Sequence, residues 1–340
     1  MQVRSLPKVS FFIMAYNDAK NVELAIRSVK MQNYPKNKVE IIVIDDASTD
    51  TTLEVAKKYK TRTLTNGTHN MYKSLSMGYH AAKGDFCFQL DQDVELKSKN
   101  FIRDMITPLV DDTTLTGTFT RYYPGRDPSW VNRYLSYEPA QQDPLFEYFS
   151  APIKNLIVEK RGNYFICDYS SKNIPPITLM FFRMKHLKKS PLWKDEQFFD
   201  HETLMGVISC GYTRFAYVPS AGLYHKHVDS LAHLFSKRAR NLKNHYLKTD
   251  SKYKYKWFDA TTLKGILKII IWIIYANLII PATIRGIYRA LKFKDHVFLA
   301  EPFITVAVTD IVIYNFLTLK EGRQFIFKSF KKLYRNIVKN

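Results

Sequence analysis

The sequence predicts an α/β fold with a mostly parallel sheet and helices on both faces. Its first third alternates between short apolar runs and helical stretches, a pattern typical of strands joined by crossover helices. Three of the apolar runs predict strands: residues 9–14, 39–44 and 86–90. In such sheets ligands bind outside the carboxyl ends of the strands. Acidic residues follow the second and third predicted strands, so we expect a binding site at that edge.

The composition is that of a globular protein with a strong positive charge. The chain has 340 residues, of which 46% are hydrophobic, and 51 Lys+Arg against 31 Asp+Glu leave a net charge of +20. Such a charge attracts nucleic acid, anionic lipid headgroups or phosphorylated substrates. Cys87, Cys167 and Cys210 are widely spaced, which argues against a disulfide framework or zinc site. Residues 1–9 lack the apolar segment of a secretory signal, so we expect the protein to stay on the cytosolic side of the membrane.

Asp91-Gln92-Asp93 directly follows the strand predicted at residues 86–90. Two carboxylates that flank one residue can divide the work, one on a ribose hydroxyl and one on a divalent cation. Mg²⁺ and Mn²⁺ prefer oxygen ligands and commonly bridge carboxylates to substrate phosphates. Such a cation neutralises the negative charge that builds on a pyrophosphate as it departs. The alternative is a solvated turn, because Asp-x-Asp is common by chance.

A second acidic cluster, Asp45-Asp46, ends the strand predicted at residues 39–44. A carboxylate there can accept a hydrogen bond from a nucleobase N–H or a ribose hydroxyl. Tyr16-Asn17 follows the first predicted strand, and the Tyr16 ring can stack on a base. The alternative is helix capping by Ser48 or Thr49 and turn formation by Asp and Asn. Ligand binding and helix capping are compatible, since both use residues at the same strand ends.

Four short segments, in this order, resemble the family 2 glycosyltransferases, which have the Rossmann-like GT-A fold. They are Met14-Ala15-Tyr16-Asn17-Asp18, Val43-Ile44-Asp45-Asp46-Ala47-Ser48-Thr49-Asp50, Ala82-Lys83-Gly84-Asp85 and Leu90-Asp91-Gln92-Asp93. Asp18 stands where the family usually has Glu. The resemblance implies that Asp93 binds Mn²⁺ or Mg²⁺. It also implies a group of nucleotide-sugar contacts: Ala15, Tyr16, Asn17, Asp45, Asp46, Asp91 and Gln92.

One basic residue joins this candidate set from the chain between the acidic clusters. Lys73 lies on the helix predicted before the Asp-x-Asp strand, where its ammonium can touch a diphosphate or a lipid phosphate. The alternative for such a charge is a solvated helix face.

The resemblance continues into a second half that supplies the acceptor side. Family members carry a Glu-Asp pair, a helix, a Gly-Tyr turn, a strand ending in Val-Pro and then Tyr-His. Counting back from Gly211 places the family Asp on Asp200 and its Glu on Phe199. The resemblance implies that Asp200 is the general base for the acceptor hydroxyl, with Glu202 as a rival. His225 matches a histidine that approaches the metal or pyrophosphate, and its alternative is a structural role.

Two apolar stretches near the end of the chain, residues 269–284 and 297–319, invite a transmembrane hairpin. The first is short of the ~20 residues that a spanning helix needs. The second contains Glu301 and Asp310, which are costly at bilayer depth. The segments before, between and after the stretches are all basic, whereas a spanning hairpin would place its connection on the far side. We therefore expect helices in the cytoplasmic interface or a shallow re-entrant pair. The alternative is packing onto the catalytic domain or a partner subunit.

These observations predict two regions. Residues 1–230 would form a catalytic domain, with a nucleotide-sugar half at about 1–118 and an acceptor half at 119–230. Residues 231–340 would form a basic, membrane-associated helical region that can also mediate oligomerisation.

The function expected is inverting transfer from a nucleotide diphosphate sugar, with UDP favoured, to a lipid-linked or cell-surface glycan acceptor. A close alternative is transfer from GDP-mannose or UDP-glucose to a polyprenyl or dolichyl phosphate. A basic nucleic-acid-binding protein is the alternative outside enzymes. It is disfavoured because the basic residues lie beside apolar helices and no nucleic-acid motif is recognised. A sugar nucleotidyltransferase would need a Gly-rich triphosphate loop, and residues 14–21 offer none.

Overall fold

The computed structural model describes residues 6–125, 128–137, 143–150, 152–170, 179–198, 200–247 and 258–338, without the side chains of Asp200, Asn244 and His245. The chain divides into two compact units. Unit 1 comprises Met1–Tyr123 and Ile153–Lys226, and unit 2 comprises Pro124–Pro152 and His227–Asn340. The domain boundaries expected at residues 118 and 230 stay predictions.

The elements are numbered along the chain. The strands are β1 Val9–Ala15, β2 Val39–Asp45, β3 Arg62–Thr65, β4 Phe86–Asp91, β5 Val94–Leu96, β6 Gly117–Phe119, β7 Tyr122–Tyr123, β8 Ile157–Arg161, β9 Tyr164–Asp168, β10 Met180–Arg183, β11 Arg214–Tyr217 and β12 Leu223–His225. The helices are α1 Ala19–Lys30, α2 Thr52–Lys58, α3 Met71–Ala81, α4 Phe101–Asp111, α5 Trp130–Leu135, α6 Pro144–Phe149, α7 Met184–Leu187, α8 Asp200–Ser209, α9 Leu231–Asn241, α10 Leu263–Asn277, α11 Ile280–Phe293, α12 Glu301–Thr318 and α13 Lys320–Val338.

Unit 1 is built on a nine-stranded sheet in the order β3-β2-β1-β4-β10-β6-β11-β9-β8. The three predicted strands, β1, β2 and β4, are parallel as expected, and β3, which was not predicted, extends the parallel part beyond β2. Beyond them β10 is antiparallel to both neighbours, and β8 and β9 form an antiparallel hairpin. That hairpin turns at Gly162, whose φ of 56° lies in the left-handed region that a tight turn uses. The α/β class is confirmed, but the complete sheet is mixed rather than mostly parallel, because β10 interrupts the parallel order and the β8–β9 hairpin adds antiparallel pairs at one edge.

Helices cover both faces of this sheet, which confirms that part of the prediction. Phe11 and Phe88 belong to the core that α1 and α4 complete. The next residue on β1, Phe12, points to the opposite face, where its ring meets that of Tyr79 on α3 at 4.8 Å. A Cβ on Gly78 would lie 2.2 Å from Phe12, so glycine at this position allows α3 to approach the sheet closely.

A second, three-stranded sheet in the order β5-β12-β7 completes the described strands of unit 1. β12 runs antiparallel to β5, with His225 opposite Val94. Because β5 begins immediately after the Asp-x-Asp motif, this register brings a residue from late in unit 1 beside the acidic end of β4.

Unit 2 is helical in its described residues, and a charged group lies inside it. The carboxylate of Glu301, at the first position of α12, is fully buried. It accepts hydrogen bonds from the Tyr134 hydroxyl at 2.7 Å and from Arg289 at 3.0 Å, and it pairs with Arg285. Paired this way, Glu301 avoids the cost that an isolated buried charge would carry.

The two predicted apolar stretches form three helices, α10, α11 and α12. Pro281 lies in the first turn of α11, where its missing N–H costs nothing, so the first stretch breaks into two helices. Their axes differ by 77°. Among the described residues, one helical stretch, His296–Thr318, is long and apolar enough to cross a membrane, and the bent pair would count as a second if it were one span.

Candidate active site

The loops after β1 and β2 are fastened to each other by Asn17. These strands are parallel neighbours, with Ala15 opposite Asp45. Asn17 has a φ of 46°, its N–H donates to the Ser48 hydroxyl at 3.0 Å, and its Oδ1 accepts from the Thr49 N–H at 2.7 Å. Asn17 therefore shapes the wall of the candidate site, and its carbonyl oxygen is already engaged.

Asp45 presents an acceptor atom that the described protein leaves unused. Only 2% of this residue is exposed, at the carboxyl end of β2. Its Oδ2 accepts from the Ser48 N–H at 3.2 Å, whereas its Oδ1 is buried with no hydrogen-bond partner in the described part of the chain. An unsatisfied buried carboxylate oxygen is costly. The position therefore fits a ligand that donates a hydrogen bond.

Asp46 and Tyr16 are linked through His69, which the sequence analysis did not single out. Asp46 Oδ1 accepts from the His69 N–H at 2.9 Å. The His69 ring meets Tyr16 edge-to-face, with centroids 5.2 Å apart. Tyr16 is nevertheless 47% exposed, so its ring keeps surface on which a planar group can stack. No motif marks His69, whose φ of 50° places it in a left-handed turn before α3.

Gln92, the middle residue of the Asp-x-Asp motif, holds the end of β1. Its Oε1 accepts from the Tyr16 N–H at 2.8 Å, and its Nε2 lies 3.4 Å from the Tyr16 carbonyl oxygen. Both ends of its amide thus meet the backbone beside Ala15, the last residue of β1. The neighbouring carboxylate, Asp91, accepts from the buried Gln89 side chain at 3.0 Å.

Asp91, Asp93 and His225 form a cluster that suits a divalent cation. One ligand atom from each residue lies within 4.8 Å of the others. His225 Nε2 is 3.3 Å from Asp93 Oδ1, and the buried imidazole packs beside the Tyr122 ring at 5.4 Å. Two carboxylates and one imidazole are a donor set that Mn²⁺ accepts and Mg²⁺ tolerates. The cluster contains both predicted metal ligands, Asp93 and His225. It also contains Asp91, which was predicted to bind the nucleoside.

The remaining predicted residues lie on helices of unit 1. Lys73 is in the first turn of α3, which Asn70 caps, and its ammonium makes no hydrogen bond or ion pair recorded in the described ranges. Asp200 is the first residue of α8, with its side chain outside the described atoms, and Phe199 lies outside the described residues altogether. Glu202, two positions into the same helix, is buried.

The sequence matches the glycosyl transferase family 2 over residues 10–184. The match covers half of the chain and includes every motif of the nucleotide-sugar half, so the chain belongs to this family. The predicted class of protein, a glycosyltransferase, is thereby confirmed.

Two curated relatives show local similarity. Glycosyltransferase AglE of Haloferax volcanii is 42% identical over 57 residues, which are 17% of this chain and 19% of that protein. Dolichyl-phosphate beta-glucosyltransferase ALG5D of Trichomonas vaginalis is 33% identical over 105 residues, 27% of this chain and 32% of that protein. The matched part thus spans a third or less of either relative.

A solved structure shares the fold. The mannosyltransferase PcManGT from Pyrobaculum calidifontis, solved in complex with GDP-Man and Mn²⁺, superposes with a TM-score of 0.51 at 16% sequence identity. The likeness covers 91% of this chain and 88% of that one. It confirms the predicted GT-A fold.

Proposed function

We propose that the protein is an inverting glycosyltransferase that moves a sugar from a UDP-sugar to a hydroxyl of a lipid-linked or cell-surface glycan. The observation that carries the proposal is the cluster of Asp91, Asp93 and His225 beside the strand end that holds Asp45. Asp91 ends β4 and Asp45 ends β2, the two strands that flank β1, and β12 adds His225, so these groups offer a cation site and a nucleobase acceptor at one edge of the sheet. A nucleoside diphosphate needs both features at once.

The state of the Asp45 carboxylate supports uracil as the base. One oxygen accepts from the Ser48 N–H, and the other is buried without a partner among the described residues, so one N–H of a ligand would complete the carboxylate. Uracil presents one N–H on its pairing edge. Guanine presents two adjacent donors, which both oxygens of a free carboxylate would satisfy better. The exposed ring of Tyr16 supplies a surface on which the base stacks.

A divalent cation, Mn²⁺ or Mg²⁺, would be held by Asp91, Asp93 and His225. When bound, it supplies positive charge against the negative charge that grows on the departing diphosphate. Gln92 keeps the motif in place, since its amide is fixed to the β1 backbone. Lys73 adds a cation on α3 for the diphosphate.

Asp200 is the proposed general base. Its carboxylate takes the proton of the acceptor hydroxyl, the oxygen attacks the anomeric carbon, and the bond from that carbon to the diphosphate oxygen breaks with its electron pair leaving on UDP. Attack from the side opposite the leaving group inverts the configuration. Glu202 is buried, and a bulky acceptor reaches the first residue of a helix more easily than a buried side chain. This difference supports Asp200 as the base in preference to Glu202.

Transfer to a polyprenyl or dolichyl phosphate is the second candidate, and the similarity to the dolichyl-phosphate glucosyltransferase of Trichomonas vaginalis favours it. A phosphate acceptor is already an anion, so that reaction needs no strong base. The two candidates therefore differ in how much they depend on Asp200.

We further propose attachment to the cytoplasmic face of a membrane without a full crossing. The basic helices of unit 2, the broken first apolar stretch and the paired burial of Glu301 support this proposal. The proposed division into a catalytic region at residues 1–230 and a membrane-associated region at 231–340 rests on the same features.

Titration calorimetry of UDP and GDP in the presence of Mn²⁺ tests the donor site. We expect UDP to bind more tightly than GDP, and Asp45→Asn to weaken UDP binding by about 10–100-fold, equivalent to the ~1.5–3 kcal/mol of a hydrogen bond to a charged group. Asp111→Asn, which removes an exposed carboxylate at the end of α4, is the matched control and should leave binding unchanged. Equal affinity of the Asp45 variant and the original chain would contradict the assignment.

A further inference from the structure

Exposed apolar side chains lie at the bend between α10 and α11, on the surface of unit 2. α10 ends at Asn277 and α11 begins at Ile280, and their axes differ by 77°. The residues at the bend, Leu278, Ile279 and Ile280, are 58%, 55% and 70% exposed. Three consecutive large apolar side chains in water are unfavourable, and a turn rarely needs them.

The apolar surface continues away from the bend along both helices. Exposed members of this face are Ile270, Ile271 and Ile274 on α10, and Ile284, Ile287, Tyr288 and Leu291 on α11. The opposite side of the pair is built into unit 2, where Trp272, Ala276 and Ala282 are buried. One face of the bent pair is therefore committed to the protein core, and the other is an apolar surface without a cover in the described chain.

The charged side chains of α10 and α11 make their contacts within unit 2 and not on the exposed apolar face. Arg285 pairs with Glu147 and Glu301, and Arg289 is buried against Glu301. The ammonium of Lys268 lies over the Tyr148 ring, 5.2 Å from its centroid. Since Arg285 and Arg289 are the only charged residues between Lys268 and Lys292, the exposed face carries no charge over this length.

The uncharged polar groups of the bend are satisfied locally. The Asn277 side chain donates to the Ile273 carbonyl at 2.8 Å, and the Thr283 hydroxyl donates to the Ile279 carbonyl at 3.0 Å. Polar side chains that are bonded back to their own helix can enter an apolar medium at reduced cost. The ends of the pair, by contrast, carry Lys264, Lys292 and Lys294, which suit anionic headgroups.

We propose that α10 and α11 form a re-entrant wedge that inserts its Leu278–Ile280 tip into one leaflet of an anionic lipid bilayer. Helices of 15 and 14 residues are about 22 and 21 Å long, short of the ~30 Å hydrocarbon core, and the bend returns the chain to the side it entered. Basic residues at both ends then lie at the same headgroup layer. This inference rests on the membrane attachment proposed above, and it names the segment that inserts.

Flotation of the full chain with lipid vesicles tests the tip. Vesicles of phosphatidylcholine with phosphatidylglycerol should retain the protein better than phosphatidylcholine alone. The double variant Leu278→Glu with Ile280→Glu should lower the vesicle-bound fraction by about tenfold or more, since two carboxylates would have to enter the leaflet. The control is Val158→Glu, which alters an equally exposed side chain on β8 of unit 1 and should change flotation little.

A fluorescent label at the tip tests the depth and separates lipid from protein partners. Cys210 is the one exposed cysteine of the three in the chain, so Cys210→Ser with Ile280→Cys allows an environment-sensitive dye to be placed on the tip. We expect a blue shift when anionic vesicles are added, with stronger quenching by a spin label high on the acyl chain than by one at its end. A blue shift without lipid would mean that a second copy or another part of the chain covers the tip, and it would overturn the proposal.

The outcomes separate this inference from the wider attachment. If the original chain fails to float with either kind of vesicle, membrane attachment and the wedge fail together. If it floats and the tip variant floats equally well, attachment stands and the wedge is wrong. Hydrolysis of the sugar donor by the tip variant in detergent should match that of the original chain, because the substitutions lie outside the catalytic residues. If hydrolysis is lost, the variant is disturbed elsewhere, and the dye on Ile280→Cys then tests the wedge in its place.

Discussion

The imidazole Nε2 of His225 lies 3.3 Å from Oδ1 of Asp93, although the two residues come from distant parts of unit 1. The register of β12 on β5, which places His225 opposite Val94, creates this contact. The pairing of a three-stranded side sheet thus completes a cation site whose first two ligands follow β4. A family motif predicts each residue separately, and the strand register explains why they meet.

Asp93→Asn should abolish cation-dependent turnover while it leaves the fold intact. The amide keeps the size of the side chain but removes the charge, and we expect at least about a hundredfold loss of kcat/KM with a matching loss of Mn²⁺ affinity. Titration of Mn²⁺ by electron paramagnetic resonance measures the affinity directly. Asp111→Asn makes the same change on the exposed end of α4 and should have no effect. Unchanged Mn²⁺ affinity in the Asp93 variant would place the cation elsewhere.

Asp200→Asn separates the two candidate acceptors. For a hydroxyl acceptor, loss of the base should lower kcat by about 10²–10⁴-fold, the usual contribution of general base catalysis. For a phosphate acceptor the loss should be much smaller. Glu202→Gln, in the same helix, should lower kcat less than Asp200→Asn. The reverse order would transfer the role of the base to Glu202.

The stability of the protein should fall as the pH drops from about 6.5 towards 4, because of His186. Burial, reinforced by Arg183 and Lys185, lowers the pKa of this histidine to about 4. Its ring stacks on Tyr212 at 4.1 Å and its Nδ1 is 3.3 Å from the Thr116 hydroxyl. The unfolded chain takes up the proton near its ordinary pKa of 6.5, so between these values it binds more protons than the folded chain does and unfolding becomes easier.

Melting temperatures across this pH range measure the effect. His186→Gln should flatten the decline between pH 6.5 and 4, whereas His233→Gln, on the exposed side of α9, should leave it unchanged. A decline of equal slope in the His186 variant would show that other groups cause it.

Glu301→Ala should destabilise unit 2 by about 3–5 kcal/mol, because it leaves the buried Arg289 without a charge partner and takes from Arg285 one of its two carboxylates. Asp310→Asn is the matched control, since it alters an exposed carboxylate on the same helix, and it should cost little. Denaturant unfolding in detergent gives both values. A cost for Glu301→Ala similar to that of the control would mean that the ion network contributes nothing to the fold.

The nucleotide-sugar half is predictable from the sequence because its chemistry stands at strand ends. The strands predicted at residues 9–14, 39–44 and 86–90 are observed as Val9–Ala15, Val39–Asp45 and Phe86–Asp91. Buried parallel strands are continuous apolar runs, and a pair of carboxylates after such a run is visible without any structure. The antiparallel strand β10 is also an apolar run, but such a run does not show in which direction its strand pairs, so the mixed character of the sheet was not predicted.

The side-chain contacts that shape the site were not predictable in the same way. The bonds from Gln92 to the Tyr16 backbone and from Asn17 to Thr49 join side chains to peptide groups of another loop, and such bonds leave no periodic pattern. The role of His69 is hidden for the same reason. In the tail, Glu301 and Arg285 are visible as charges in apolar surroundings, but only the packing of α11 on α12 shows that they neutralise each other.

The central claim is cation-dependent turnover of a UDP-sugar at the Asp91–Asp93–His225 cluster. Incubation of the full chain in detergent with a panel of nucleotide diphosphate sugars, with Mn²⁺ or with a chelator, tests it most directly, and release of the nucleoside diphosphate is the readout. We predict release of UDP from at least one UDP-sugar with Mn²⁺, and none with the chelator or from Asp93→Asn. Absence of release from every nucleotide sugar, or release unaffected by the chelator and by Asp93→Asn, would contradict the account.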